Sequence, residues 1–258
     1  MSAVRPRGMH ALVEHDGTQD AVAVEEPLEI RVDGEALAVT MRTPGEDEDL
    51  ALGFLLGEGL IDGAREAGPA SDLAANVVEV RGPLTGREGG IPVRRFYTTS
   101  SCGVCGKGAL EEVAVHAERL DHDDLRVSRS LLAALPDRLR QPEFQRTGGL
   151  HATGLFTPGG ELVVSREDVG RHNAMDKVVG WALRHGHVPL HDFVLCVSGR
   201  LSFELVQKAA VAGAPVLVGV GAPTSLAVEL ATSRNLTLGG FARGDRVNIY
   251  AGEHRVLD

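Results

Sequence analysis

FVLCVSGRLSFELVQKAAVAGAPVLVGVGAPTSLAVELATSRNLTLGG, residues 193–240, decides the fold. Two patterns alternate along it. Phe193–Val197 is a short, unbroken apolar run, which predicts a strand. Leu201–Ala212 repeats its apolar residues at helical spacing. Pro215–Val220 is a second strand, and its Val216-Leu217-Val218 run suits burial on both faces. Ser225–Thr232 is a second helix, Leu236–Gly240 a third strand, and Val247–Tyr250 a fourth. Strands separated by helices of this length predict βαβ units.

Upstream, Thr153–Thr157 and Glu161–Ser165 flank Pro158-Gly159-Gly160, which predicts a hairpin. A helix is expected from Asn173 to Arg184, with Met175, Val178, Val179 and Leu183 on one face. Residues 145–258 therefore read as an α/β domain. Residues 21–144 read as a smaller mixed part, so the chain as a whole is α+β. In that part, Leu28–Val32 and Leu37–Met41 flank Asp33-Gly34, a strong hairpin signal. Residues 46–61 open with Glu46, Asp47, Glu48 and Asp49, whose charges complement a helix start. Residues 62–75 read as a loop or short helix. Val77–Arg81 and Val93–Thr98 read as strands, Ala109–Leu120 and Ser130–Leu139 as helices. Residues 121–128 and 140–149 read as polar connections, and residues 1–20 as a loosely ordered N-terminus.

Composition narrows the function. The 258 residues carry a net charge of −10, which argues against general nucleic-acid binding, where a basic surface must meet phosphates. The charge is unevenly spread, since residues 200–258 hold six basic side chains against five acidic ones. Three cysteines are too few for a disulfide framework, and a reducing compartment is the simpler reading. Arg5 and Arg7 are not followed by the apolar stretch of a secretory signal. No run reaches the ~18 apolar residues of a membrane helix. A cytoplasmic location, without membrane or nucleic-acid partners, is expected.

Chemistry concentrates in Ser101-Cys102-Gly103-Val104-Cys105-Gly106-Lys107, a Cys-x-x-Cys pair in a glycine-rich loop before a helix. A helix N-terminus and a nearby lysine favour the thiolate, while Glu111 and Glu112 oppose it. Four readings stand open on the residues alone: an incidental or structural pair, half of a zinc site, a dithiol redox pair, and a sulfur relay with one cysteine carrying a persulfide. Zinc needs two further ligands, and His151, His172 and Cys196 are available but isolated in sequence. Cys196 lies in an apolar strand and reads as a buried thiol.

Several blocks together resemble the FdhD family of formate dehydrogenase accessory sulfurtransferases. They are LALGFLLGEG (50–59), SCGVCG (101–106), TGGLHATGLF (147–156), REDVGRHNAMDKV (166–178), VSGRLSFE (197–204), APTSLAVE (222–229) and FARGDR (241–246), in this order. The resemblance implies a sulfur carrier and sulfurtransferase. It would move sulfur from a cysteine desulfurase to a molybdenum bis(pyranopterin guanine dinucleotide) cofactor, as required by formate dehydrogenase. It implies a persulfide on Cys102, assistance from Cys105, a cytidine-deaminase-like C-terminal domain and a homodimer. The expected partners are the desulfurase and the formate dehydrogenase apoenzyme. No tightly bound metal of the chain's own is expected. The zinc-deaminase signature is absent, so deamination is not expected.

A nucleotide-bearing acceptor calls for positive charge and backbone N–H groups. Phe241, Ala242, Arg243, Gly244, Asp245 and Arg246 match the family's cofactor-binding segment. Two arginines suit phosphates, Gly244 a tight turn, and Asp245 the guanine N–H groups. The plain alternative is a turn with solvated charges. Ser198-Gly199-Arg200 could cradle an anion at a helix start, or could be an ordinary connection. Arg171-His172-Asn173 reads first as a helix start with a hydrogen-bonded histidine. Two rival functions remain: a chaperone that binds the cofactor without moving sulfur, and a zinc-stabilised interaction module.

Overall fold

The computed structural model of the chain describes residues 8–70, 72, 74–85, 96–98 (backbone), 119–121 and 124–258. Its first strands are β1 (His10–His15), β2 (Thr18–Ala23), β3 (Glu26–Val32) and β4 (Glu35–Arg42). Next come α1 (Asp47–Gly57), β5 (Glu66–Pro69), β6 (Val77–Arg81) and β7 (Phe96–Thr98). A short connector holds β8 (Val127–Ser128), α2 (Arg129–Ala134), a 3-10 turn at Leu135–Arg138 and α3 (Pro142–Thr147). The remainder is β9 (His151–Phe156), β10 (Leu162–Asp168), α4 (Arg171–Arg184), β11 (Val194–Val197), α5 (Phe203–Val211), β12 (Val216–Gly219), α6 (Ser225–Ser233), β13 (Thr237–Arg243), β14 (Arg246–Ala251) and β15 (Val256–Leu257).

The alternating segment behaves as its pattern dictates. β11, β12 and β13 pair in parallel at the centre of a six-stranded sheet ordered β10-β9-β11-β12-β13-β14. β9 and β14 flank them antiparallel, so the sheet is mixed. The unbroken apolar runs are explained by burial on both faces. Leu195, Val197 and Leu217 join the main core with Met175 and Val178 of α4 and Leu205 of α5. Cys196, Val216 and Val218 point the other way, against Leu132 of α2 and Leu135.

The second sheet has five strands, ordered β5-β6-β3-β4-β7. The Asp33-Gly34 turn closes its β3–β4 hairpin with both residues at positive φ, as a type I′ turn requires. Between the two sheets lies α1. A helix that is apolar all round must be buried all round, and Asp49 to Gly57 are buried without a break. α1 crosses α4 at backbone contact. A methyl group at Gly53 would overlap the Asp176 carbonyl, and one at Gly180 the Asp49 carbonyl. The main core runs without a break from Leu28 and Ile30 of β3, through α1 and α4, to Leu238 of β13.

Several local expectations need correction. Residues 10–20, expected to be loosely ordered, belong with 21–23 to the β1–β2 hairpin, turned at Asp16-Gly17 with both φ positive. Residues 66–69 of the expected loop or helix pair with β6 as β5. The expected helix from Ser130 to Leu139 narrows to 3-10 geometry at Leu135, because Pro136 has no N–H to continue it. Residues 140–149 contain α3, with Pro142 in its first turn and Gly148 ending it at positive φ. The strand expected to end at Gly240 runs on to Arg243. The helix expected from Ala109 falls, apart from Arg119 and Leu120, outside the described residues.

Candidate functional site

Parallel strands deliver their carboxyl ends to one edge, where open α/β sheets hold ligands. Three turns meet there: Ser198-Gly199-Arg200 after β11, Val220-Gly221-Ala222 after β12, and the end of β13. Backbone hydrogen bonds lace them together. Gly221 N–H donates to Gly199 O at 3.0 Å, and Phe241 N–H to Gly221 O at 3.2 Å. β9 runs antiparallel to β11, so its first residue, His151, reaches the same edge. Ser198 fixes that junction: its N–H donates to Ala152 O and its Oγ accepts from Ala152 N–H, both at 2.9 Å.

A cleft of about 430 Å³ opens beside this edge, walled by Gln141, Phe144, Gly149, His151, Ser198 and Val220. The His151 imidazole is held below its ordinary pKa by burial, then by the charges of Arg171 and Arg200, with Asp168 pulling the other way.

Phe241–Arg246 forms the β13–β14 hairpin rather than a turn after a finished strand. Pairing is irregular between Gly240 and Arg243, and Phe241 has φ +54°. Bulky residues avoid that region, and the ring is 50% exposed. A strained, exposed aromatic residue makes this hairpin a candidate functional position. Arg243, Asp245 and Arg246 are exposed, and Arg246 lies 3.9 Å from Asp245. Arg243 makes no ion pair among the described residues.

The REDVGRHNAMDKV block has a different task. Asp168, fully buried, accepts from Thr43 N–H, Gly170 N–H and Asn173 Nδ2, and pairs with Lys177 Nζ at 2.8 Å. Lys177 also donates to Thr43 O, and Asn173 Nδ2 to Met41 O. The block therefore joins α4 to the end of β4. His172 Nε2 shares a hydrogen bond with Ser202 Oγ at 3.1 Å and lies 3.6 Å from Glu204. Both partners face the same ring nitrogen, so this is no Ser–His–acid relay, which needs opposite nitrogens. Burial, then Arg171, Lys208 and His151, push its pKa down to about 3. Cys196 is fully buried, and burial drives its thiol pKa up, away from reactivity.

Cys102 and Cys105 lie outside the described residues. Among the described residues, no three His, Cys, Asp or Glu side chains converge as a metal site.

Comparison with known proteins decides the family. The FdhD/NarQ family model matches residues 23–257. The chain belongs to that family. It is 55% identical to the sulfur carrier protein FdhD of Streptomyces avermitilis over 252 residues, covering 92% of this chain and 89% of the relative. It is 52% identical to the protein of that name from Nocardia farcinica, over 92% of this chain and 88% of the relative. A crystal structure described as a formate dehydrogenase accessory protein, from Desulfotalea psychrophila, superposes with a TM-score of 0.75 at 26% identity, covering 96% of this chain and 98% of that one. Seen as an FdhD/NarQ member, the chain keeps the FARGDR and VSGRLSFE blocks on one edge. In sequence His151 is an available but isolated side chain, and the cleft it lines is not legible.

Proposed function

We propose that the chain is a sulfur carrier that takes sulfur from a cysteine desulfurase onto Cys102 and delivers it to a molybdenum cofactor bearing guanine dinucleotides. The observation that carries this reading is family membership across residues 23–257, with relatives above 50% identity named sulfur carrier proteins. The edge geometry supports it. An exposed Phe241 ring offers a stacking face for a base, and Arg243 and Arg246 offer charge to phosphates.

Cys102 thiolate attacks the terminal sulfur of the desulfurase persulfide; that S–S bond breaks and the donor cysteine leaves as thiolate. Electrons are conserved, and Cys102 holds the persulfide. For delivery, Cys105 thiolate attacks Cys102 Sγ and expels hydrosulfide, which becomes the ligand on the acceptor metal. The two cysteines are left as a disulfide, which a dithiol reductant restores. In this reading the chain works as a cytoplasmic homodimer, and the six-stranded sheet with α4, α5 and α6 is its cytidine-deaminase-like domain.

The test is activation of formate dehydrogenase in a strain lacking the endogenous carrier. Wild type should restore activity, and the Cys102→Ala/Cys105→Ala double variant should not. Full activation by the double variant would overturn sulfur transfer in favour of a chaperone that only holds the cofactor.

A further inference from the structure

The family match begins at residue 23, so the β1–β2 ribbon, His10 to Ala23, precedes the shared segment. Its base is anchored. β2 packs along α3, His10 Nδ1 lies 2.8 Å from Glu143 Oε2, and a methyl at Gly149 would lie 3.2 Å from Ala23 Cβ. Beyond the base, residues 12–20 are exposed without a break. Two strands alone are marginal in water, and a third is what makes such a sheet stable.

Backbone bonding leaves the outer edge of β1 open. Val24 N–H donates to Met9 O at 2.9 Å, and His15 pairs with Thr18 across the Asp16-Gly17 turn. Bonding alternates along an antiparallel strand, so the odd-numbered residues of β1 bond to β2. His10, Leu12 and Glu14 therefore turn their N–H and C=O groups outward. Among the described residues no strand pairs with that edge. Leu12 is 63% exposed on one face of the ribbon, and Val13 46% exposed on the other. Glu14, Asp16 and Asp20 are exposed around them, and residues 10–23 contain no Lys or Arg.

We propose that the outer edge of β1 is a docking strand, which takes an extended basic and apolar segment of a partner protein into the ribbon as a third strand. Main-chain bonds to His10, Leu12 and Glu14 attach the segment. Its apolar side chains cover Leu12 and Val13, and its Lys or Arg meets Glu14 across the pair. Asp16 and Asp20 add to the field that draws it in. Charge selects this occupant over a second copy of the chain, whose ribbon is equally acidic and whose net charge is also −10. The docking edge does not depend on the sulfur-carrier reading.

The full chain is titrated by fluorescence anisotropy at about pH 8, where exposed histidines are neutral. The probes are a labelled peptide Lys-Arg-Val-Val-Thr-Lys and its acidic counterpart Glu-Glu-Val-Val-Thr-Glu. The basic peptide should bind about tenfold more tightly or better, and added salt should narrow the gap. Leu12→Pro deletes an outward N–H and no β1–β2 bond, and should weaken the basic peptide about tenfold. Glu14→Lys with Asp20→Lys should reverse the preference towards the acidic peptide, a gain that a misfolded ribbon does not produce. No binding, equal binding of the two peptides by wild type, or binding that ignores Leu12→Pro would overturn the docking edge. Self-association in analytical ultracentrifugation that Leu12→Pro abolishes would give the edge to a second copy and overturn the basic partner.

Discussion

His172 is neutral because its surroundings are buried and already positive, and that makes it a measurable liability in acid. Its folded pKa, about 3, lies below the unfolded value of 6.5. The unfolded chain therefore binds more protons in that window, and stability falls as pH drops from 6.5 towards 3. At pH 5 the loss from this one group is about 2 kcal/mol. Urea unfolding at pH 7 and pH 5 should show it, and His172→Gln should lose about 2 kcal/mol less over that interval than wild type. An identical loss in both proteins would contradict the assignment. Gly53 is a second decisive residue. Gly53→Ala drives a methyl into the Asp176 carbonyl, where backbone cannot yield, and should cost about 3 kcal/mol or more in thermal or urea unfolding. Neither role is legible in sequence. Gly53 looks like a weak point in a helix, and His172 like a helix-start histidine, because their partners lie more than a hundred residues, or a whole helix, away.

At the scale of elements, the buried Lys177–Asp168 pair joins α4 to β10 and to the end of β4. Removing one partner strands a buried charge. Lys177→Met should cost about 3–5 kcal/mol in urea unfolding, far more than a surface lysine. The acidic start of α1 belongs to the same kind of joint. Asp47 accepts two bonds from Arg42, at 2.8 and 2.9 Å, and Asp49 accepts from Arg184 at 2.8 Å. In sequence these acids read as complements to the helix dipole; in the fold they also pair with arginines, and Asp49 meets Arg184 only because α1 packs on α4. The β13–β14 hairpin is the opposite case. Arg243→Ala with Arg246→Ala removes two solvated side chains and should change stability by under ~0.5 kcal/mol. Guanine-nucleotide affinity should nevertheless fall about tenfold or more, a split that fluorescence titration alongside urea unfolding would read. The alternating strands and helices of 193–240 were legible because each carries its own period. The β13 extension to Arg243 was not, since an irregular pairing at Phe241 interrupts the pattern.

Across the whole molecule, one apolar core spans both sheets, with α1 and α4 in contact at its centre. The division at residue 144 seen in the pattern of elements therefore has no counterpart in the packing of that core. Urea unfolding followed by Trp181 fluorescence, on α4, and by far-ultraviolet dichroism should give one coincident transition; two separated transitions would restore independent units. At the end of the central strands Arg200, Arg243 and Arg246 are exposed. In the proposed function the Cys102–Cys105 pair supplies the chemistry. The central claim is that sulfur resides on Cys102. Intact mass of the full chain after incubation with a cysteine desulfurase and cysteine, followed by peptide mapping, tests it directly. The account predicts a gain of one sulfur atom, reversed by a dithiol, mapped to Cys102 and absent from Cys102→Ala. An undiminished gain in Cys102→Ala would contradict it.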